Sequence, residues 1–421
     1  MWMISGLGWR LRQIFQRIWV RVTAFGVLGV IVALSAAWLS PFLPEDLGKS
    51  IGAGSVEAIL KIIASSMLTV TTFSLSIMVT AFGSAQTGAT PRAISLLQSD
   101  SLTQQVMASF MGAFIYALVG IIALETGYYG DAGQFVLFIA TIGVIALIVA
   151  MLLRWIQHLS EFGRLDDTIT RVEEATRAAM RKRCETPLIG GATWQAISPG
   201  AWRACAHRTG HVQVADMAKL QSIAQEQDCR IWLCAPPGAF VHPAEALVCC
   251  DALPMDAQAR VALEEALRDA FVIAHVRSYD QDPTFGLRAL AEIGSRALSP
   301  AVNDPGTGID IMGRLLRVLG EWTPETCTQP QFDRVLVPAL TPQELITNAY
   351  DALARDGAAQ LEVAQRLQLV LNAAALVKPE LCKAAAKQAR RAADHAAAAL
   401  TLPEDIAKIE ALARKTEQLT Q

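Results

Sequence analysis

The chain has 421 residues, 52% of them hydrophobic and only 18% charged, whereas a soluble protein carries about 25% charged residues. A formal net charge of −3 leaves no strong basic field, which excludes a nucleic-acid partner of the usual electrostatic kind. Long apolar runs crowd into the first 155 residues, so the composition divides into a membrane part and at least one soluble part.

In chain order, residues 1–17 read as a basic juxtamembrane segment. Arg10, Arg12 and Arg17, with Arg21 just beyond, are interleaved with Trp9, Ile14, Phe15 and Trp19, without an acidic residue or a secretory cleavage pattern. Such a segment either lies on an anionic cytoplasmic surface or simply sets orientation. Residues 18–155 read as four spanning helices, at Ile18–Leu39, Ser55–Thr87, Gln104–Leu124 and Gln134–Leu153, each meeting the ~20 residues that a bilayer requires. Pro41 and Pro44 stop the first, and Glu45, Asp46 and Lys49 suit a short external loop. Ser84–Thr103 is polar and rich in small residues, with Pro91, Arg92 and an amphipathic piece at Ala93–Leu97. Tyr128 and Tyr129 follow the third span at interface depth. The basic residues collect on the N-terminal flank, at Arg92, and at Arg154 and Arg164. The positive-inside rule then places both termini in the cytoplasm, with the chain in a plasma (bacterial inner) membrane.

The second span differs from the other three. Placed on a helix, Lys61, Ser65, Thr69, Thr72, Ser76 and Thr80 fall within roughly a 100° arc, with Gly83 in the middle of it. A polar stripe on a spanning helix turns away from lipid, toward another helix or toward water, and makes these six residues pore-lining candidates. The third span repeats small residues at Ser109, Ala113 and Ala117 and at Ala108, Gly112 and Gly120, which suits close packing within a subunit or between subunits.

Residues 156–203 read as a connecting helix and linker. Ile156–Arg183 is dense in charge and continues out of the fourth span until Pro187, Gly190 and Gly191 end it. Residues 204–252 form a small α/β element, with β-like runs HVQVAD, CRIWLCA and ALVCCD and a helical piece at Met217–Gln225. Residues 253–421 are expected to be helical, beginning with Asp256–Ser278 and Pro283–Leu298. The fold class is therefore an α-helical membrane domain of four spans, followed by a mixed α/β and then mainly helical cytoplasmic domain.

Among the motifs, Pro300 breaks one helix and Asn303-Asp304-Pro305 starts the next, with Asp304 a good N-cap and Pro305 at the first helical position. Asp282-Pro283 repeats the device one helix earlier. Asn303, Asp304, Gly306 and Gly308 form either a capped turn or a small-ligand turn. Arg288, Glu292 and Arg296 share one helix face, so Glu292 can pair with either arginine. Cys205, His207 and His211 have ligand chemistry but match no standard zinc spacing, and the eight cysteines include no CxxC pair, so neither a metal nor a cofactor is expected. No phosphate-loop, dinucleotide, zinc-protease or nucleophile-elbow motif is present, which disfavours an enzyme.

Two segments, SSMLTVTTFSLSIMVTAFGSAQTGATPRAISLLQSD and DPTFGLRALAEIGSRALSPAVNDPGTGIDIMGRLL, resemble the bacterial membrane-protein family known as domain of unknown function 2254. GHVQVADMAKLQSIAQEQDCRIWLCAPPGAFVHPAEALV is similar to its middle segment, with His211 where the family usually has Tyr. The resemblance runs from Trp9 to about Leu319 and implies a multi-spanning protein with a cytoplasmic domain, without assigning an activity. Two functions follow from the residues. One is a homo-oligomeric pore or channel for an ion or small solute, lined by the second span, with Lys61 favouring anions. The other is a non-conducting sensor or scaffold that acts through its cytoplasmic domain.

Overall fold

The computed structural model describes residues 18–39, 53–88, 90–93, 100–129, 131–161, 164–251 and 256–420. They fall into two compact units, one within residues 10–168 and the other within residues 169–421. The expected basic segment at 1–17, the external loop around Pro41–Lys49 and most of the amphipathic piece at 93–97 lie outside the described residues.

Among the described residues, the first unit holds four helices long and apolar enough to cross a membrane. They are α1 (Ile18–Leu39), α2 (Ala53–Gly88), α3 (Ser101–Glu125) and α4 (Asp131–Glu161). The second is longer than its apolar core, because its helix runs on through the polar Ser84–Gly88. α3 is the hub, packing against the other three. Its small residues explain how closely. A Cβ on Gly29 of α1 would lie 2.7 Å from the Gly112 carbonyl oxygen, and one on Gly112 would lie 2.9 Å from that of Phe25. Ala108, Ser109, Gly112, Ala113, Ala117 and Gly120 are all buried, so both small-residue spacings serve packing inside one chain. Two buried tyrosines of this core are partnered across helices. Tyr129 donates to the Ala33 carbonyl at 2.7 Å, and the Tyr116 hydroxyl lies 2.9 Å from Thr141 Oγ1. At the start of α3, Asp100 caps the Thr103 N–H at 2.8 Å, and His158 Nε2 of α4 lies 3.0 Å from Asp100 Oδ2.

The expected continuous helix from Ile156 to Arg183 is two helices. α4 ends at Glu161, and α5 begins at Leu165 with Asp166 and Asp167 in its first turn, where carboxylates favour a helix start. α5 runs to Glu185. A 3-10 turn at Pro187–Gly190 follows, with Leu188, Ile189 and Gly190 all at positive φ (53°, 55° and 79°).

Among the described residues, the second unit contains two sheets. Its elements in order are β1 (Gly191–Thr193), β2 (Trp202–Cys205), β3 (Gly210–Ala215), α6 (Met217–Glu226), β4 (Ile231–Leu233), β5 (Phe240–Val241), β6 (Ala246–Cys250), α7 (Ala257–Arg268), β7 (Phe271–Ala274), α8 (Pro283–Ala297), α9 (Pro305–Glu321), β8 (Phe332–Val337), α10 (Pro342–Asp356), α11 (Leu361–Val377), α12 (Cys382–Ala399) and α13 (Pro403–Gln418). The five-stranded sheet has the order β1-β8-β4-β6-β2, with β8 parallel to both of its neighbours and the remaining pairs antiparallel. The three-stranded sheet, β5-β3-β7, is antiparallel.

Three expectations change here. The α/β element is not closed within residues 204–252, because β1, β7 and β8 come from outside it. The expected helix Asp256–Ser278 stops at Arg268, since Phe271-Val-Ile-Ala274 pairs with β3 as a strand. β8 interrupts the helical C-terminal part, its apolar Val335-Leu-Val337 buried beside β4 and β1. The helices pack as α8 on α9 and α10, α9 on α11, and α11 on α12 and α13. Their core is formed by buried Leu290, Ile293, Ile311, Leu315, Tyr350, Leu353 and Leu371.

Candidate functional site

The buried face of α2 carries Val56, Leu60, Ile63, Ala64, Met67, Thr71 and Ser74. On a helical wheel their mean direction is roughly opposite that of the hydroxyl stripe. Lys61, Ser65, Thr69, Thr72, Ser76 and Thr80 are accordingly all exposed on the single chain, flanked by exposed Ile62, Leu68, Phe73, Leu75 and Val79. Each hydroxyl donates its proton within its own helix. Ser65 bonds the Ile62 carbonyl at 3.1 Å, Thr69 that of Ser65 at 2.9 Å, Thr72 that of Leu68 at 2.9 Å, Ser76 that of Thr72 at 3.1 Å and Thr80 that of Ser76 at 3.0 Å. What remains facing outward is the acceptor side of each oxygen. Lys61 pairs with Glu57 one turn earlier, which balances its charge within the helix and removes the expected reason for an anion preference.

In the second unit, the side chain of Asp304 accepts from the N–H and hydroxyl of Thr307 at 3.1 and 2.5 Å, capping α9. These bonds hold its carboxyl below the usual range. Asn303 adopts a left-handed φ of 51° and accepts from Gln360 Nε2 at 3.1 Å. Gly308 is buried against Leu298, where a Cβ would come within 2.6 Å of Cδ2, while Gly306 is exposed. The turn thus uses its polar groups to join α8, α9 and α11. On α8, Arg288 and Arg296 are exposed and Glu292 is half-buried between them. Among the described residues, no three His, Cys, Asp or Glu side chains gather as a metal site. His211 lies edge-on to Phe240, its partner across the β3–β5 pair.

One feature that the sequence reading did not find is a series of ion pairs along α5. Glu173 is buried and accepts from Arg317 Nε at 2.7 Å and from Arg314 Nη1 at 3.1 Å, both on α9. Arg177 bonds Glu321 with Nε at 2.9 Å, and Arg183 pairs with Glu325 in a site where both side chains are almost fully covered. Burial pushes the Glu173 carboxyl up, but the hydrogen bonds and charges of Arg317 and Arg314 outweigh it and hold the group below its ordinary value. Gly286 of α8 completes the seat, since a Cβ there would lie 2.6 Å from Thr176 Cβ. Charge alternation on α5 was visible in the sequence, but its partners lie about 140 residues away on the chain, too far for any spacing rule to connect them.

With this geometry in hand, the relatives are informative. The sequence pattern of the family described as "Predicted membrane protein (DUF2254)" matches residues 16–373, most of the chain. The chain belongs to the DUF2254 family. An uncharacterised protein of Mycobacterium bovis and one of Mycobacterium tuberculosis are each 25% identical to this DUF2254 chain over 318 residues, or 72% of it. The match covers 59% of each of those proteins, so the chain spans little more than half the length of its curated relatives. No solved structure matches it. For the DUF2254 chain, the resemblance read from its two motif segments and the four apolar helices therefore agree: it belongs to a family of predicted membrane proteins and, among the described residues, has four candidate spans with a large α/β and helical unit after them.

Proposed function

We propose that this DUF2254 protein is a homo-oligomer in the bacterial inner membrane, with both termini cytoplasmic, and that its α2 helices line a pore-like path. One observation carries the reading. The outward face of α2, opposite the face packed on α3, aligns six polar side chains from Lys61 to Thr80. At 1.5 Å per residue this stripe is about 28 Å long, close to the ~30 Å thickness of a hydrocarbon core. Facing lipid, such a row gains nothing; around an axis shared by several copies, it supplies a wetted wall. Because the hydroxyl protons are committed to the helix, the wall offers acceptor oxygens, which suit a cation or a solute bearing N–H or O–H groups.

The test is ion flux through vesicles holding the purified protein. Flux is expected, with Thr72→Leu lowering it and Glu57→Gln, which leaves the Lys61 charge unbalanced, shifting selectivity toward anions. Vesicles tight to every common monovalent ion under voltage and tension would sink the pore.

A second reading, a non-conducting sensor or scaffold, is supported by the ion pairs that fix α5, the next helix after α4, onto α9. In that case the vesicles stay tight, and crosslinking in cells recovers one specific partner on the soluble unit.

A further inference from the structure

The second unit contains a cavity of about 180 Å³ between the end of α5, the Pro187–Gly190 turn, the start of α6, the Asp280–Gln281 loop and the start of β8. That is many times the ~10–15 Å³ needed to house one water molecule. Its inner wall is apolar, with Ile189, Met217 and Phe332 facing the space. Water held against such a wall is poorly bonded and is displaced with gain by an apolar group. The rim carries both signs of charge. Lys182 is an exposed ammonium whose Nζ lies 3.4 Å from the Asp280 carbonyl; Asp216, whose Oδ1 also caps the Lys219 N–H of α6 at 3.1 Å, and Asp280, whose Oδ2 also accepts from Ser278 Oγ at 2.8 Å, line the same opening. The neighbouring guanidinium of Arg183 is committed to Glu325, so Lys182 is the cation that the opening offers.

The wall also contains two consecutive non-glycine residues in the left-handed region. Leu188 and Ile189 both adopt left-handed angles, at φ 53° and 55°, a conformation that a β-branched residue such as Ile adopts only under constraint. Leu188, fully buried in the core, anchors the turn. The strain is the condition under which Ile189 stands in the cavity wall.

We propose that this cavity binds a small zwitterion with an apolar side chain, the class of the apolar α-amino acids. The ligand carboxylate meets Lys182, its ammonium meets Asp216 and Asp280, and its side chain fills the space against Ile189, Met217 and Phe332. This binding does not depend on whether the membrane unit conducts.

The experiment is calorimetric titration of the full-length protein in detergent with L-leucine and L-phenylalanine. The comparators are 3-methylbutylamine, which lacks the carboxylate, and 4-methylpentanoate, which lacks the ammonium. Saturable binding of at least one of the two amino acids is expected, and loss of either charge should weaken it about tenfold or more. Lys182→Glu, an exposed substitution that leaves the core untouched, should weaken it to a similar degree, and Ala218→Phe should abolish it by filling the space. The proposal is overturned if neither amino acid binds saturably, if the amine or the acid binds as well as the amino acid, or if Lys182→Glu binds like the wild type.

Discussion

Replacing Glu173 with alanine tests how strongly α5 is held by charge. The carboxylate is 8% exposed and serves two arginines of α9, Arg317 through Nε at 2.7 Å and Nη2 at 3.0 Å and Arg314 through Nη1 at 3.1 Å. Removing one member of a buried ion pair costs about 3–5 kcal/mol, because its partner keeps its charge in a poor solvent. Two features reduce that figure here. Arg314 retains Asp310 at 2.6 Å and Thr170 at 2.9 Å, and Arg317, 52% exposed, regains water. The expected loss is about 2–3 kcal/mol, or a fall of roughly 4–12 °C in the unfolding midpoint of a unit of this size. Thermal unfolding of the full chain in detergent, followed by limited proteolysis of the second unit, reads it. Replacing all three charges, by Glu173→Leu with Arg314→Met and Arg317→Met, should restore most of the loss, since the carboxylate that then loses its arginine, Asp310, is half-exposed and keeps its water. The pH dependence has a definite sign. The folded carboxyl lies below its ordinary value of 4.5, so its contribution is complete above that pH and fades as pH falls through the lower folded value. An alanine variant within about 0.5 kcal/mol of wild type, with an unchanged acid limb, would refute the reasoning.

Other expectations follow from close approaches and caps. Gly112→Leu should disrupt the α1–α3 contact and lower the resistance of the membrane unit to detergent unfolding by more than the ~1–3 kcal/mol of ordinary overpacking, since backbone is what it meets. Gly143→Ala on α4, where nothing lies within 4 Å of the added carbon, should be neutral or slightly stabilising in the same assay. Gly238→Ala faces both a φ of 95° and the Asp282 Cγ at 2.7 Å, and should cost about 1–3 kcal/mol in urea unfolding. Asp304→Ala should cost about 0.5–2 kcal/mol, as the loss of an N-cap does, with a loss concentrated above the depressed carboxyl pKa.

The parts legible in the sequence were those with local causes. Four spans follow from unbroken apolar length, and the caps at Asp282 and Asp304 follow from the residue types beside Pro283 and Pro305. The hydroxyl stripe of α2 could be drawn from periodicity alone, but not the state of its hydroxyls. The Glu57–Lys61 pair, four residues apart, was within reach of the same rule and overturns the charge argument built on Lys61 alone. What escaped was non-local. Phe271–Ala274 is four apolar residues after a helix and looks like more helix until β3 is available to pair with it. Phe332–Val337 becomes the second strand of a five-stranded sheet only because β1 and β4, from about 100 to 140 residues earlier, flank it. The cavity beside Ile189 depends on two left-handed residues that no propensity scale assigns to leucine and isoleucine.

The attachment of α5 to α9 also sets a schedule for synthesis. Arg177 and Glu321 are separated by 144 residues in the chain, as are Glu173 and Arg317. At about 5–20 residues per second, the ribosome needs roughly 7–29 s to deliver the partners after α5 has emerged. Through that interval the four apolar helices are already made, while a helix bearing unmatched arginines and a carboxylate that will later be buried waits without its seat. Nascent-chain proteolysis should find α5 sensitive until α9 is out.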